Sequence, residues 1–424
     1  SDFRSRQIRG IRLRSNSMSQ AQNPESKIQN QAPPGSVWRI CRIQLNIINF
    51  LSCFLCLGFG LTLGFILSFY LKSLPFNLTL TQLSFPFSNS FSSSPPQLPS
   101  RSSLVRAADV RVGLREYLRP PAVWHDMSDE ELLWRASMAP KAEEFPFPRA
   151  PKVAFMFLTK GPLPLAALWE RFFRRHEGLY SIYVHSRPSY NGTEDPPPGS
   201  VFHGRRIPGK GVEWGKVSMI EAERRLLGNA LLDWGNQRFV LLSESCIPLF
   251  NFSTVYAYLV GSAVSFVEAY DLPGPVGRGR YSPRMAPTVT LERWRKGAQW
   301  FEMDRALAVE IVADRQYFPV FQRHCHHACY SDEHYLPTLV TARFAARNAN
   351  RTLTWANWSK GGPHPAAYHG AHIVPDFLRR LRTQGTCRYN GRKADVCFLF
   401  ARKFRPDALD RLLRFAPTVM HMDR

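Results

Sequence analysis

The segment Cys329-Tyr330-Ser331-Asp332-Glu333-His334-Tyr335-Leu336-Pro337-Thr338-Leu339 sets two carboxyls and an imidazole at the head of an apolar, helix-like run. A carboxylate at a helix start beside a cleft can take a proton from a hydroxyl nucleophile, which makes Glu333 a candidate general base. The same residues also fit a purely structural role, because Ser331 or Asp332 can cap a helix and an acidic first turn suits the helix dipole. A second candidate set lies near the C-terminus. There Cys397-Phe398-Leu399-Phe400-Ala401-Arg402-Lys403-Phe404 places two cations directly after an apolar, strand-like stretch, and Arg392 and Lys393 precede it. Arg offers a planar donor fork and Lys a compact charge, so such groups can clamp a diphosphate and offset leaving-group charge as a metal ion would. In so basic a chain they equally describe solvated surface charge. Gly277-Arg278-Gly279-Arg280-Tyr281 and Arg295-Lys296-Gly297-Ala298-Gln299-Trp300-Phe301 mix small residues, cations and aromatics, which suits sugar rings and ordinary core edges alike.

Missing signatures narrow the chemistry. There is no GxxxxGK[ST], GxSxG or HExxH, and no GxGxxG after the first expected strand, so the common nucleotide-triphosphatase, serine-hydrolase and zinc-protease readings lose support. Nor is there an Asp-x-Asp, the pair with which many nucleotide-sugar enzymes hold a divalent ion on a pyrophosphate; a phosphate handled here must find other cations. His324-Cys325-His326-His327-Ala328-Cys329 resembles a metal cluster superficially, but zinc sites usually show a second ligand pair at a set distance, and only scattered His follow. No metal site is expected. Cys325 with Cys329, and Cys387 with Cys397, are spaced like two short-loop disulfides, which leaves Cys246 over.

The elements that must position these residues follow from hydrophobic patterning. Val153 to Leu158, Ser181 to His185, Arg238 to Leu242 and Ala263 to Val267 read as strands, buried on both faces where uniformly apolar. Leu165 to Arg174, Val217 to Leu232 and Ser253 to Gly261 read as helices between them, and Ser128 with Glu131 forms a capping box before DEELLWRASM. This alternation predicts an α/β domain with a mixed, mostly parallel sheet flanked by helices. Such sheets bind ligands at the C-terminal edges of their strands, which directs attention to Thr159 and Lys160, His185 and the Ser243-Glu244-Ser245 turn.

The chain has 424 residues, is 44% hydrophobic and 13% aromatic, and so can bury a large core; wholesale disorder is excluded. With 55 Lys+Arg against 33 Asp+Glu it carries a formal charge of +22, which fits nucleic acid, an anionic membrane surface or a phosphate-bearing substrate. Residues 45–71 contain no Asp, Glu, Lys or Arg, and a bilayer core needs only about 20 such residues as a helix. A cleaved signal would lie closer to the start. The basic residues before this run and the sparse charge after it predict a cytosolic tail over 1–44, a signal-anchor span over 45–71, a Ser/Pro-rich stem over 72–108 and a lumenal domain over 109–424. Sequons at Asn77, Asn191, Asn251, Asn350 and Asn357 all fall on the expected lumenal side. Nucleic-acid binding fails on this topology, since most of the charge lies beyond the span. Nothing in the sequence specifies an oligomeric state.

VAFMFLTKGPLPLAALWERFF, IYVHSRP, VEWGKVSMIEAERRLL, FVLLSESCIPLFNF, GRGRYSPRM, RKGAQWF, CYSDEHYLPTL, TWANWSKGGPHPAAY and CFLFARKF occur in this order. Together, over roughly residues 110–416, they resemble the plant branch of the core-2/I-branching β-1,6-N-acetylglucosaminyltransferase family, glycosyltransferase family 14, with brittle-culm members most similar. The resemblance implies a Golgi type II membrane protein with a GT-A-like fold and an inverting, metal-independent transfer of a sugar, foremost N-acetylglucosamine from its UDP conjugate, to a glycan or glycoprotein hydroxyl. It implies Glu333 as base and Lys403, next to Arg402, on the diphosphate, with Lys393 or Arg392 as companion from the disulfide loop. Trp355, with Trp358 beside it, matches an acceptor-stacking position, and Arg278 and Arg280 lie where relatives carry acceptor-contacting cations. Related plant proteins include glucuronosyltransferases acting on arabinogalactan, so a glucuronosyl donor is the alternative. A catalytically silent lumenal glycan-binding protein is the reading from another class.

Overall fold

The computed structural model describes residues 113–422 except 142–143 and 191–194, together with Gly60 and Thr62, both helical. The rest of the expected span, the stem, and the sequons Asn77 and Asn191 lie outside the described residues, among which no helix is long and apolar enough to cross a membrane. A single turn, α1 (Leu114–Tyr117), and α2 (Asp129–Ala136) precede the first strand, and α2 opens with the Ser128–Glu131 capping box that its sequence predicts.

Alternate residues of β1 (Lys152–Leu158) feed two different cores. Ala154, Met156 and Leu158 pack into one, and Val153, Phe155 and Phe157 into the other, as a strand covered on both faces requires. The first core lies under α4 (Ser218–Leu231), α6 (Arg305–Ala313) and α8 (Tyr335–Arg343); the second under α3 (Ala166–Phe173), α5 (Phe252–Val260), α9 (Pro375–Thr383) and α10 (Leu409–Phe415). A shorter helix, α7 (Phe318–His324), adds Phe321 to the first. Local chemistry sets several helix starts: the Asn251 side chain accepts from Thr254 N before α5, and Asp304 accepts from Leu307 N before α6.

β1 sits between β2 (Tyr180–His185) and β3 (Asn236–Ser243), parallel to both, and β5 (Glu302–Asp304) adds antiparallel to β3, giving the order β2-β1-β3-β5. Leu158 is paired with His185 on one side and Ser243 on the other. The three parallel strands therefore end level, and the loops that follow them share one edge. A second sheet, β4 (Ile247–Pro248), β9 (Phe400–Arg402) and β6 (Thr354–Ala356), brings the end of β9 to that region. The hairpin β7 (Cys387–Tyr389) and β8 (Arg392–Ala394) is closed by the Cys387–Cys397 disulfide; Cys325–Cys329 is the other, and Cys246 is free and buried.

Ala263 to Val267 departs from expectation. It makes isolated bridges, Ser265 with Asn348 and Phe266 with Glu302, rather than a ladder. The carbonyls of Ser262 and Val264 instead accept from the buried Arg238 guanidinium, which also donates to both Glu302 carboxylate oxygens at 2.6 Å. A charge pair this deep is held by its own geometry, and removing one partner strands the other. Arg238→Met should cost about 3–5 kcal/mol, read as a lowered midpoint in chemical denaturation, and the double variant with Glu302→Leu should regain most of it.

Candidate active site

Glu333 closes a 3-10 turn, Ser331–Glu333, that follows Tyr330 in the left-handed backbone region (φ 52°). Neither Ser331 nor Asp332 caps α8. Ser331 Oγ donates to Lys216 O at 2.8 Å, and Asp332 is buried. The turn is pinned from the other side by Gly297 N donating to Glu333 O at 2.9 Å. That approach needs a glycine, since a Cβ on Gly297 would sit 1.8 Å from Glu268 O.

The Glu333 carboxylate is gripped by two cations through one oxygen. Arg280 Nη1 donates to Oε2 at 2.6 Å, and Lys296 Nζ contacts the same oxygen. Oε1 takes no protein hydrogen bond among the described residues, so it is the atom left to meet a hydroxyl. Arg280 also lies 4.0 Å from the Tyr330 ring centroid, a cation–π contact that orients the fork. Behind Glu333, burial and then the Glu333 charge push the Asp332 carboxyl up to about 7, and burial next to Asp332 pushes Glu223 well above the carboxylate range. His334 is stacked on Trp294 at 4.3 Å with Nδ1 donating to Arg295 O, and burial brings it down to about 3. It is a neutral wedge behind the site.

The second half of the site forms where β1, β3 and β9 end. Lys403 follows β9; its carbonyl accepts from Tyr368 N, and Phe404 N donates to Ser245 O. Burial and then the neighbouring Arg402, Lys160 and Arg405 charges lower the Lys403 ammonium, while Glu244 opposes them. Arg402 lies 4.0 Å from the Trp300 ring centroid. His364, on the segment after β6, is lowered by burial and then by the charges of Lys403, Lys160 and Arg402. Lys160, Arg402 and Lys403 thus form one positive cluster, with Glu244 beside it rather than beside Glu333.

Other candidates are placed elsewhere. His185 is fully buried; its Nε2 accepts from Arg225 at 3.0 Å within an Asp129–Arg225 network, and burial followed by the Arg225 charge brings it down to about 4. The Thr159 hydroxyl is spent on Gly161 O, shaping the turn that presents Lys160. Arg392 and Lys393 lie on the β7–β8 hairpin, whose Tyr389 and Asn390 bond to the carbonyls of Tyr258 and Gly261 at the far end of α5. Neither Arg392 nor Lys393 is among the charges that act on Lys403. Arg278 pairs with Asp271 on the surface. Trp355 packs edgewise on Phe377 and near Tyr368, whereas Trp358 is half exposed on the loop that returns to Lys403. Of the described sequons, Asn251 and Asn357 donate their amide nitrogens to His421 O and the Tyr368 hydroxyl, while Asn350 is exposed.

Four residues escaped the sequence reading as members of this site. Lys296 stands in a segment singled out for sugar rings, with nothing to show that it reaches Glu333. Trp214, Tyr330 and His364 are far apart in the chain, yet the Trp214 ring lies 5.0 Å from that of Tyr330 and 4.9 Å from that of His364.

The family model "Branch: Core-2/I-Branching enzyme" matches residues 153–382. The chain is also 35% identical over 318 residues to a rice (Oryza sativa subsp. japonica) protein named Glycosyltransferase BC10, an alignment covering 64% of this chain and 79% of that one.

Proposed function

The chain belongs to the Core-2/I-branching enzyme family and is a glycosyltransferase, and from that premise we propose that it moves one sugar, foremost N-acetylglucosamine from UDP-N-acetylglucosamine, onto a hydroxyl of a glycan or glycoprotein. The observation that carries the reading is the line of contacts from Glu333 through Arg280, Tyr330 and Trp214 to His364, an imidazole lowered by burial and then by the charges of Lys403, Lys160 and Arg402. This line joins a candidate base to cations able to bind phosphate, which supports a single site served by both. The acceptor oxygen bonds to the anomeric carbon as the bond from that carbon to the UDP oxygen breaks. The acceptor proton passes to Glu333, and the charge appearing on UDP falls among the three cations. One displacement inverts the anomeric centre, whereas retention would need a second carboxylate as nucleophile, and the neighbouring Asp332 is 4% exposed.

Cations standing where a metal would, in a sequence without Asp-x-Asp, support a metal-independent transfer. Activity should survive excess chelator unchanged in a UDP-release assay, and loss that zinc, manganese or magnesium restores would argue for a bound ion. The charge-free run at 45–71 supports a Golgi type II membrane protein with this site in the lumen, testable by protease protection in sealed vesicles.

A glucuronosyl donor is the second reading, favoured by a count of cations, Arg280 and Lys296 included, beyond what a diphosphate needs. A screen of UDP-sugars against cell-wall and arabinogalactan acceptors separates the two. Glycan binding with no UDP release from any donor would leave the silent, glycan-binding alternative.

A further inference from the structure

In a single in-line displacement the attacking oxygen and the departing phosphate oxygen lie on opposite sides of the anomeric carbon. The transferred ring must then lie between the base and the diphosphate cations. Trp214 touches one residue on each side. Its ring meets Tyr330, on which the Arg280 of the Arg280–Glu333 pair lies, and His364, which burial and then the charges of Lys403, Lys160 and Arg402 lower. Even so, it stays 44% exposed, so a substantial part of the indole faces open space.

The surrounding chain is built to hold it there. Gly215, at φ +77°, lets the backbone cross the Tyr330 ring, where a Cβ would come within 3.0 Å of Cδ1. The Ser331 hydroxyl bonds Lys216 O, so the loop bearing Trp214 is tied directly to the turn bearing Glu333. On the cation side, His364 follows Gly361 and Gly362, both at positive φ, so this partner is borne on a stretch whose backbone only glycine adopts readily.

We infer that the Trp214 indole is the platform on which the transferred sugar of the donor stacks, through the apolar C–H face of the pyranose ring. This rests on the glycosyl-transfer reading above and adds a residue that recognises the sugar rather than the nucleotide. The indole supplies apolar contact and a polarisable face, and it keeps water from the anomeric carbon until an acceptor hydroxyl replaces it.

The test compares nucleotide with nucleotide-sugar on the full chain in detergent, using calorimetry with UDP, UDP-N-acetylglucosamine, UDP-glucuronic acid and UDP-galactose. Trp214→Ala should weaken the best-bound UDP-sugar about tenfold and leave UDP within about twofold, with the thermal midpoint unchanged. Trp214→Phe should keep most of the sugar-dependent affinity, and Trp214→Leu, with apolar bulk but no ring, should lose it. The Phe–Leu contrast decides the matter if the Ala variant does not fold. Equal losses for UDP and UDP-sugar, or no loss for either, would overturn the stacking role while leaving glycosyl transfer standing. A wild-type chain that binds none of the four ligands would instead sink the donor reading itself, and the stacking role with it.

Discussion

Glu333→Gln should cut turnover by about 10³-fold, with UDP affinity almost unchanged. Gln has the shape of Glu, and its side-chain oxygen can still accept from Arg280 and Lys296, so the turn and the cations opposite keep their places. What disappears is an atom able to take the acceptor proton as the new bond forms. The neighbours cannot replace it: Asp332 is buried, and His334 is stacked and committed to the Arg295 carbonyl. Two assays read the result, UDP release with acceptor at saturating donor and calorimetric UDP binding. Activity within tenfold of wild type would remove Glu333 from the base role, and loss of UDP binding in parallel would mean that the substitution had disturbed the site as a whole.

Lys403→Ala should lower turnover by about 10²–10³-fold, and here UDP affinity should fall as well, because in the proposed site the ammonium would face charge in both the bound nucleotide and the leaving group. The discriminating comparison is Lys393→Ala, expected within twofold of wild type. Both residues are cations near the C-terminus, and the sequence treats them as companions. The structure sends them to opposite ends of β9, one to the Glu244–Lys160 side and the other to a hairpin docked on α5. Lys403→Arg should recover part of the loss, since it restores charge with a wider, differently aimed donor set. Equal effects at Lys393 and Lys403, or a larger one at Lys393, would return the disulfide loop to the diphosphate site.

Much of the framework was legible before any coordinates. The β1 run is apolar at every position from Val153 to Leu158, and a strand read as buried on both faces is what the two cores require. The capping box at Ser128, the helices around residues 166–173, 218–231 and 252–260, and both disulfides follow from spacing and side-chain chemistry within a few residues. Ala263 to Val267 was misread because its composition is strand-like, whereas two of its neighbouring carbonyls are consumed by Arg238, a residue no local pattern links to it. The capping alternative open to Ser331 fails for a related reason. A hydroxyl before a helix is a good cap on average, but here it finds Lys216 O first.

The sequence by itself determined most strand and helix runs of the α/β domain and the cysteine pairs, and it offered Glu333 and Lys403 as candidates. These are properties of short stretches, where the period of the apolar residues and the chemistry of near neighbours decide the outcome. Tertiary structure alone decided which groups meet: that Arg280 and Lys296 share one oxygen of Glu333, that the Lys160 charge rather than that of Arg392 or Lys393 acts on Lys403, and that the Trp214 ring touches both Tyr330 and His364. The level ends of β1, β2 and β3 bring together the loops that carry Lys160, Trp214 and Glu244, whereas the Gly297 N–Glu333 O bond brings Lys296 to Glu333.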